Sequence, residues 1–190
     1  MFKSKNTKKE KGSGLFVKKT ALGWPILKLG VDESGNLFAL CDTIGQSGER
    51  FVVGRNYDLH SGRWVGGDYF HDFEDAVRRY EYLVEYDVNP DFIEKHGYPG
   101  FLFWTRDGGK ILDLGVNRKR ITYAFVEVFE KDRITYRIVE DYDVYTGTYG
   151  ATYYFDDYSV GDNAFTYEMV RRFSPMEFMG SDIGRSGKRR

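Results

Sequence analysis

The stretches YDLHSGRWVGGDYFHDF (residues 57–73) and YDVYTGTYGATYYFDDY (residues 142–158) are two copies of one pattern, 85 residues apart. Each begins with Tyr-Asp, has a glycine five positions after that tyrosine, and ends in Tyr-Phe-x-Asp followed by an aromatic residue. The aspartate can accept backbone N–H bonds at the start of a turn, and the glycine can supply positive φ at its end. The pattern therefore predicts a β-hairpin in each copy, with mainly structural tyrosines.

The match between the copies continues without a gap from residues 16–73 onto residues 101–158. Fifteen of these 58 aligned pairs are identical, whereas squared residue frequencies give about four by chance. Many other pairs keep their chemistry, such as Phe38 with Tyr123 and Val53 with Ile138. We interpret the chain as a tandem duplication.

Alternating apolar residues predict the strands on either side of each turn. Phe51, Val53 and Tyr57 are expected on one strand face, and Trp64 and Phe70 share a face after the turn. The second copy has Tyr136, Ile138, Tyr142, Tyr149 and Phe155 at the matching positions. Further strands are predicted at 15–20, 26–31 and 37–43, and at 101–106, 111–116 and 121–130.

A helix is predicted after each hairpin. In the first copy, Asp72 is the expected N-cap, and Asp75 takes the place of the usual capping-box glutamate. In the second copy, the apolar stripe predicts the helix at 162–173, displaced by a short insertion around 159–162. Between the copies, Asn89 before Pro90 and then Gly97 predict one short helical turn.

The fold class predicted from these elements is α+β. Two similar units at an 85-residue offset each form an antiparallel β-meander followed by a helix. The predicted organisation is a disordered basic tail (1–14), a first unit (15–87), a linker with a short helical turn (88–100), a second unit (101–180) and a basic tail (181–190).

Composition narrows the class of protein. Cys41 is the single cysteine of the 190 residues, which excludes an intrachain disulfide or a multi-cysteine zinc site, and its apolar surroundings predict a buried thiol. No apolar stretch is long enough to span a membrane. The N-terminus lacks the apolar segment of a secretory signal, so we expect a soluble cytoplasmic protein.

Catalytic motifs are missing from the sequence. His60, His71 and His96 are too scattered for a metal triad. His71 and Asp75 have a two-ligand spacing, but helix capping explains the aspartate without a metal. No phosphate-binding glycine loop, nucleophile elbow or zinc-protease motif occurs. The expectation is a non-enzymatic protein without a metal or cofactor.

Charge is distributed unevenly along the chain. Residues 138–170 contain seven acidic residues and no lysine or arginine, whereas the matching residues 53–85 contain seven acidic residues and four arginines. This pattern is typical of an ordinary charged surface, and it also fits a carboxylate-and-tyrosine face that binds a basic protein. The candidate partner-binding residues are Glu140, Asp141, Tyr145, Asp156, Asp157 and Asp162.

The stretch YDLHSGRWVGGDYFHDFEDA (residues 57–76) resembles a motif of small accessory proteins encoded by phages and conjugative elements of Gram-positive bacteria. That class includes anti-CRISPR and anti-restriction inhibitors. The resemblance covers about twenty residues of the first unit and a degraded copy in the second. It implies a non-enzymatic inhibitor of a nucleic-acid-processing enzyme, and no functional residues transfer with it.

Three functional hypotheses follow from the sequence. The first is an inhibitor that binds a basic nucleic-acid-binding protein, such as a nuclease effector, through the acidic second unit. The second is a nucleic-acid binder that uses the basic tails and exposed aromatic residues such as Trp24, Trp64 and Trp104. The third is an enzyme whose site lies between the two units.

Overall fold

The computed structural model describes residues 14–179. Within that range, ten strands form two five-stranded antiparallel sheets, with four helices. The first unit comprises β1 (Ile26–Val31), β2 (Leu37–Ser47), β3 (Glu49–Arg55), β4 (Gly66–Phe70), α1 (Phe73–Leu83), β5 (Tyr86–Asp87) and α2 (Pro90–His96). The second comprises β6 (Lys110–Val116), β7 (Thr122–Glu130), β8 (Arg133–Glu140), β9 (Thr152–Phe155), α3 (Tyr158–Glu168), β10 (Arg171–Phe173) and α4 (Pro175–Met179).

This architecture confirms the predicted α+β class. Apart from Gly14, the basic tails predicted at 1–14 and 181–190 lie outside the described residues. The short helix predicted in the linker is α2, where the Asn89 side chain accepts hydrogen bonds from the backbone N–H groups of Asp91 and Phe92. Gly97 ends this helix with a φ of 87°.

The two sheets have the same strand order. It is β4-β3-β2-β1-β5 in the first unit and, read in the matching direction, β9-β8-β7-β6-β10 in the second. Val31 pairs with Tyr86, and Val116 pairs with Arg171 at the same register. Each first strand also has a register irregularity at the matching place, after Ile26 in β1 and after Ile111 in β6. This agreement supports our interpretation that the units arose by duplication.

The 85-residue offset continues beyond the stretch in which sequence identity revealed it. α1 and α3 begin at aligned residues, Phe73 and Tyr158, so the predicted insertion around 159–162 is wrong. Those residues form the first turn of α3, and the predicted helix at 162–173 ends at Glu168 instead. The chain after α3 forms β10, which pairs with β6.

Three strand predictions also need correction. Residues 15–20 and 101–106 form no strand, and each segment makes one isolated bridge, Lys19 to Pro25 and Trp104 to Lys110. The predicted strand at 37–43 extends to Ser47. β5 and β10 were missed because two or three residues are too few to show a period of two.

A left-handed residue after β3 and after β8 changes which way the following tyrosine faces. Asn56 has a φ of 52° and the matching Asp141 has a φ of 58°. Phe51 and Val53 pack in the cluster beneath α1, but Tyr57 lies in the cluster on the opposite side of the sheet. The predicted common face for these three residues is therefore wrong.

The residues after the turn are divided in the same way. Trp64 packs on the side of Tyr57, whereas Phe70 packs beneath α1. In the second unit, Tyr142 and Tyr149 lie in the first cluster and Phe155 lies beneath α3. The shared face predicted after the turn is therefore wrong as well.

Both faces of each sheet are covered by apolar side chains. One face packs against a helix, through Ala76 and Tyr80 of α1 in the first unit and through Phe165 of α3 in the second. The other face packs against the segment that precedes each sheet, which contributes Val17 and Leu102. These last contacts belong to one cluster of buried residues that runs through both units.

The hairpin turn has the predicted structure in both copies. The N–H of Gly62 donates to the carbonyl oxygen of Asp58 at 2.8 Å, and the N–H of Gly147 donates to that of Asp143 at 2.7 Å. Gly62 and Gly147 have φ values of 65° and 68°. The prediction of positive φ at both glycines is confirmed.

We expect Gly147→Val to destabilise the protein far more than Gly150→Val. A Cβ at Gly147 would lie 2.6 Å from Cδ1 of Phe101 and would require a left-handed valine. That backbone conformation alone costs about 1–3 kcal/mol. A Cβ at Gly150 would lie no closer than 3.4 Å to another atom, at an ordinary φ. Urea unfolding of the two variants measures the difference, and equal losses would contradict this account of the turn.

Candidate partner-binding surface

The six predicted partner-binding residues do not form one cluster. Glu140 ends β8 and Asp141 follows it, whereas Asp156 and Asp157 follow β9 beside the opposite end of β8, because Phe155 pairs with Tyr136. At about 3.3 Å per residue, these two acidic groups lie on the order of 13 Å apart along β8.

Tyr145 lies away from these acidic residues. Its ring contacts that of Phe178, with the ring centroids 5.9 Å apart. It also lines a cleft of about 720 Å³ together with Asp58 and His60 of the first unit. Tyr145 therefore belongs to the junction between the units.

Two of the predicted aspartates have partners within the unit. Asp157 is the N-cap of α3, and its side chain accepts a hydrogen bond from the N–H of Val160 at 3.1 Å. Asp162 accepts a bond from Arg172 at 2.9 Å, and Arg172 also contacts Asp113 at 2.9 Å. These two carboxylates support the fold, so they add less to an interaction surface than the sequence analysis assumed.

Asp141 and Asp156 are the more accessible charges. Asp141 is exposed at the left-handed position after β8. The Asp156 side chain is 88% exposed, and its carboxylate lies 3.6 Å from Arg133. An ion pair of that length and exposure contributes little energy. Both carboxylates can therefore meet a partner at low cost.

Glu140 contributes to a pocket that sequence analysis did not find. This tyrosine pocket has a volume of about 470 Å³ and lies between α3 and the strands β7, β8 and β9. Its lining residues are Tyr123, Ile138, Glu140, Tyr153, Phe155, Ala164, Tyr167 and Glu168. The pocket thus combines two carboxylates with three phenol rings and an apolar floor.

Two tyrosines of the pocket, Tyr123 and Tyr153, are hydrogen-bond donors to Glu140. The Tyr153 hydroxyl donates to Oε2 of Glu140 at 3.2 Å, and this bond raises the pKa of Tyr153. Burial, followed by a hydrogen bond to Glu140, raises the pKa of Tyr123 to about 12. Because both phenols stay protonated, the negative charge of the pocket resides on Glu140 and Glu168.

Exposed tyrosines lie on α3, the helix that forms one side of the pocket. Tyr167 is 89% exposed and Tyr158 is 49% exposed, both on α3. Tyr154 of β9 is 71% exposed but lies on the opposite face of the sheet, where it pairs with Arg137. Exposed tyrosines are enriched in protein-binding surfaces, where they supply much of the contact energy.

Of the three tryptophans proposed for nucleic-acid binding, only Trp104 is exposed. Trp24 is buried, and its ring lies 5.9 Å from that of half-buried Trp64. Trp104 is partly exposed, but its indole N–H donates to the carbonyl oxygen of Ser34 at 3.0 Å. The prediction that all three tryptophans are exposed is therefore wrong.

The described residues contain no group of three or more His, Cys, Asp or Glu side chains placed to hold a metal ion. Asp75, which was expected to take part in a capping box rather than to bind a metal with His71, forms an ion pair with Arg78, and Asp72 makes no side-chain capping bond. Cys41 is buried, and burial raises the pKa of its thiol to about 12.

Within residues 14–179, no helix has the length and apolar composition needed to cross a bilayer.

No protein-family model, curated protein or solved structure matches this chain.

We expect Asp157→Ala to lower the free energy of unfolding by about 1 kcal/mol, the usual contribution of an N-cap side chain. The matched variant Asp72→Ala should lower the free energy of unfolding by only about a few tenths of a kcal/mol, because Asp72 occupies the N-cap of α1 without a side-chain capping bond. Urea unfolding of both variants tests this difference. A larger loss of stability from Asp72→Ala than from Asp157→Ala would contradict the finding that only the Asp157 side chain forms a capping bond.

Cys41 should resist alkylation in the folded protein. With a pKa of about 12, about one thiol in ten thousand is ionised at pH 8, and only the thiolate reacts quickly. We expect iodoacetamide labelling at pH 8 to be at least about a thousandfold slower than for free cysteine and to accelerate on unfolding in urea. Rapid labelling of the folded protein would contradict the burial of this thiol.

Proposed function

We propose that this protein is a non-enzymatic, protein-binding inhibitor that uses the acidic, tyrosine-rich surface of its second unit. The observation that carries the proposal is the tyrosine pocket together with the exposed tyrosines of α3, Tyr158 and Tyr167. Apart from Tyr123, the residues of this surface lie in a segment, residues 138–170, that contains seven acidic residues and no basic ones.

A surface of this composition suits a basic protein partner. The excess of carboxylates creates a negative field that speeds the approach of a positively charged surface. Tyrosine side chains bury a large area while losing little conformational entropy, so they supply the contact energy that exposed charges lack. The surface can thus occupy a groove that the partner otherwise uses for a nucleic acid.

The proposed target is a cytoplasmic nucleic-acid-processing enzyme. Such enzymes carry lysine- and arginine-lined channels, and the acidic surface resembles the charge of their substrates. The resemblance of residues 57–76 to accessory proteins of mobile elements favours the anti-CRISPR and anti-restriction class within this group. Direct nucleic-acid binding is less favoured, since Trp24 is buried and phosphates would be repelled by the second unit.

The proposal is tested with a panel of defence nucleases, including Cas9–guide RNA complexes from Gram-positive bacteria and a restriction endonuclease. DNA cleavage is measured with and without the purified protein at several salt concentrations. We expect stoichiometric inhibition of at least one enzyme, and its affinity should fall as salt rises.

Charge variants locate the binding surface. The test variant combines Asp141→Asn, which suits a left-handed residue, with Asp156→Lys and Glu168→Lys. Because each rim charge contributes only about 0.2–1 kcal/mol, the combination is expected to weaken inhibition about tenfold or more.

The control variant makes the same change in net charge on the first unit, through Glu74→Gln, Glu81→Lys and Glu85→Lys. It should inhibit almost as well as the unmodified protein, because Arg78 and Arg79 already offset the field there. Equal losses from the two variants would indicate a diffuse charge effect, and failure to inhibit any enzyme of the panel would remove the proposal.

A further inference from the structure

The first unit contains an arginine cluster where the second unit has its tyrosine pocket. Arg79 of α1 donates from Nε to Oδ2 of Asp68 at 2.7 Å, and Arg55 bonds to the other oxygen of the same carboxylate. The Arg79 guanidinium also lies over the ring of Tyr82, 5.5 Å from its centroid. One arginine side chain thus lies between a carboxylate and a tyrosine ring.

The second unit keeps the tyrosine and removes both arginines. At the 85-residue offset, Tyr82 corresponds to Tyr167, Arg79 to Ala164 and Arg55 to Glu140. Each of these three second-unit residues lines the tyrosine pocket. The cavity therefore lies where the first unit holds the guanidinium of Arg79.

The charge of the site is reversed by the same changes. The first unit has Arg55, Asp68 and Arg79 there, and the aligned residues of the second unit are Glu140, Tyr153 and Ala164. Leu83 is also replaced by Glu168, which adds a second carboxylate to the lining. The space left by an internal cation is thus surrounded by negative charge.

We propose that the tyrosine pocket binds the guanidinium group of an arginine side chain on the protein partner. This inference rests on the proposed function and names the group that the acidic surface recognises. The incoming arginine takes the place that Arg79 fills in the first unit, stacked on Tyr167 and paired with Glu140 and Glu168.

Arginine fits this pocket better than lysine does. A guanidinium is planar, so it can stack on a tyrosine face while its N–H groups reach carboxylates at its edge. It is also less strongly hydrated than an ammonium group, so it loses less on entering a pocket with apolar walls such as Ile138 and Phe155. The Arg79 site in the first unit uses the same combination of contacts.

The test uses the full chain and the peptide acetyl-Gly-Arg-Gly-amide, with matched peptides that carry citrulline or lysine at the central position. NMR titration follows the backbone amides of Tyr153, Ala164 and Tyr167. We expect saturable shifts with the arginine peptide and at least about tenfold weaker binding of citrulline, which has the same shape without the charge. Lysine should bind with intermediate affinity. Equal binding of arginine and citrulline would overturn the inference.

Ala164→Arg supplies the pocket with an arginine of its own, as in the first unit. It should weaken peptide binding at least about tenfold without lowering the melting temperature. The matched control is Asn163→Arg, which adds the same charge to the next residue of α3, outside the pocket lining and at the position of Arg78. It should change peptide affinity less than about twofold.

A second variant and the nuclease assay separate the two proposals. Glu168→Gln removes an exposed pocket carboxylate and should weaken peptide binding several-fold even if Ala164→Arg does not fold.

In the nuclease assay, Ala164→Arg should inhibit less well than Asn163→Arg. Equal inhibition by these two, while the triple charge variant still loses activity, would overturn the arginine pocket and leave the acidic-surface inhibitor standing. Absence of inhibition by the unmodified protein, with arginine selectivity intact, would remove the proposed function and leave the pocket as an arginine site.

Discussion

One partly buried tyrosine hydrogen bond, which occurs once in each unit, fixes the position of the segment that covers the open face of each sheet. The Tyr57 hydroxyl donates to the backbone carbonyl of Phe16 at 2.9 Å, and the Tyr142 hydroxyl donates to that of Phe101 at 2.7 Å. Each bond ties the segment before the sheet to the hairpin turn at the end of the third strand. Because burial raises the pKa of both phenols, the tyrosines remain donors over the whole physiological range. The segment is thereby held against the sheet face that the helix leaves open, and without it that face would be exposed to water.

This bond requires a conformation that alternation in the sequence does not reveal. The left-handed residue before each tyrosine, Asn56 or Asp141, turns the side chain to the sheet face opposite the helix. Asparagine and aspartate tolerate that conformation better than most residues. The hairpin, its glycine and the α+β class were predictable, because turn residues and a period of two follow from local chemistry. The sheet face on which Tyr57 lies was not predictable, since a single residue of positive φ reverses the alternation of side chains after it.

The buried Arg137 marks a second limit of sequence analysis. It replaces Val52 of the first unit, and its Nη2 bonds to Asp107 at 2.7 Å and to Thr105 at 3.2 Å. Its guanidinium also lies 5.4 Å from the centre of the Tyr149 ring. A charge at such a buried position is tolerated only with partners that lie far along the chain. Nothing in the residues next to Arg137 indicates that Asp107 would be one of them.

The candidate site was predictable in charge but not in shape. Net charge identified the second unit, and Asp141 and Asp156 remain accessible there, yet Asp157 and Asp162 serve the fold. The pocket brings together residues of three strands and a helix, so no single stretch of sequence contains it.

Comparison of the two repeats is the best way to find such a site, since both units share a backbone and the residues that differ show what each unit has changed. The first unit closes this place with its own ion pairs around Asp68, which removes charge from the surface. The second unit lacks those pairs and has Glu140 and Glu168 at the positions of Arg55 and Leu83. Because exposed ion pairs contribute little to stability, the loss of these pairs costs the fold little. Duplication can thus leave one copy closed while the other becomes free to bind.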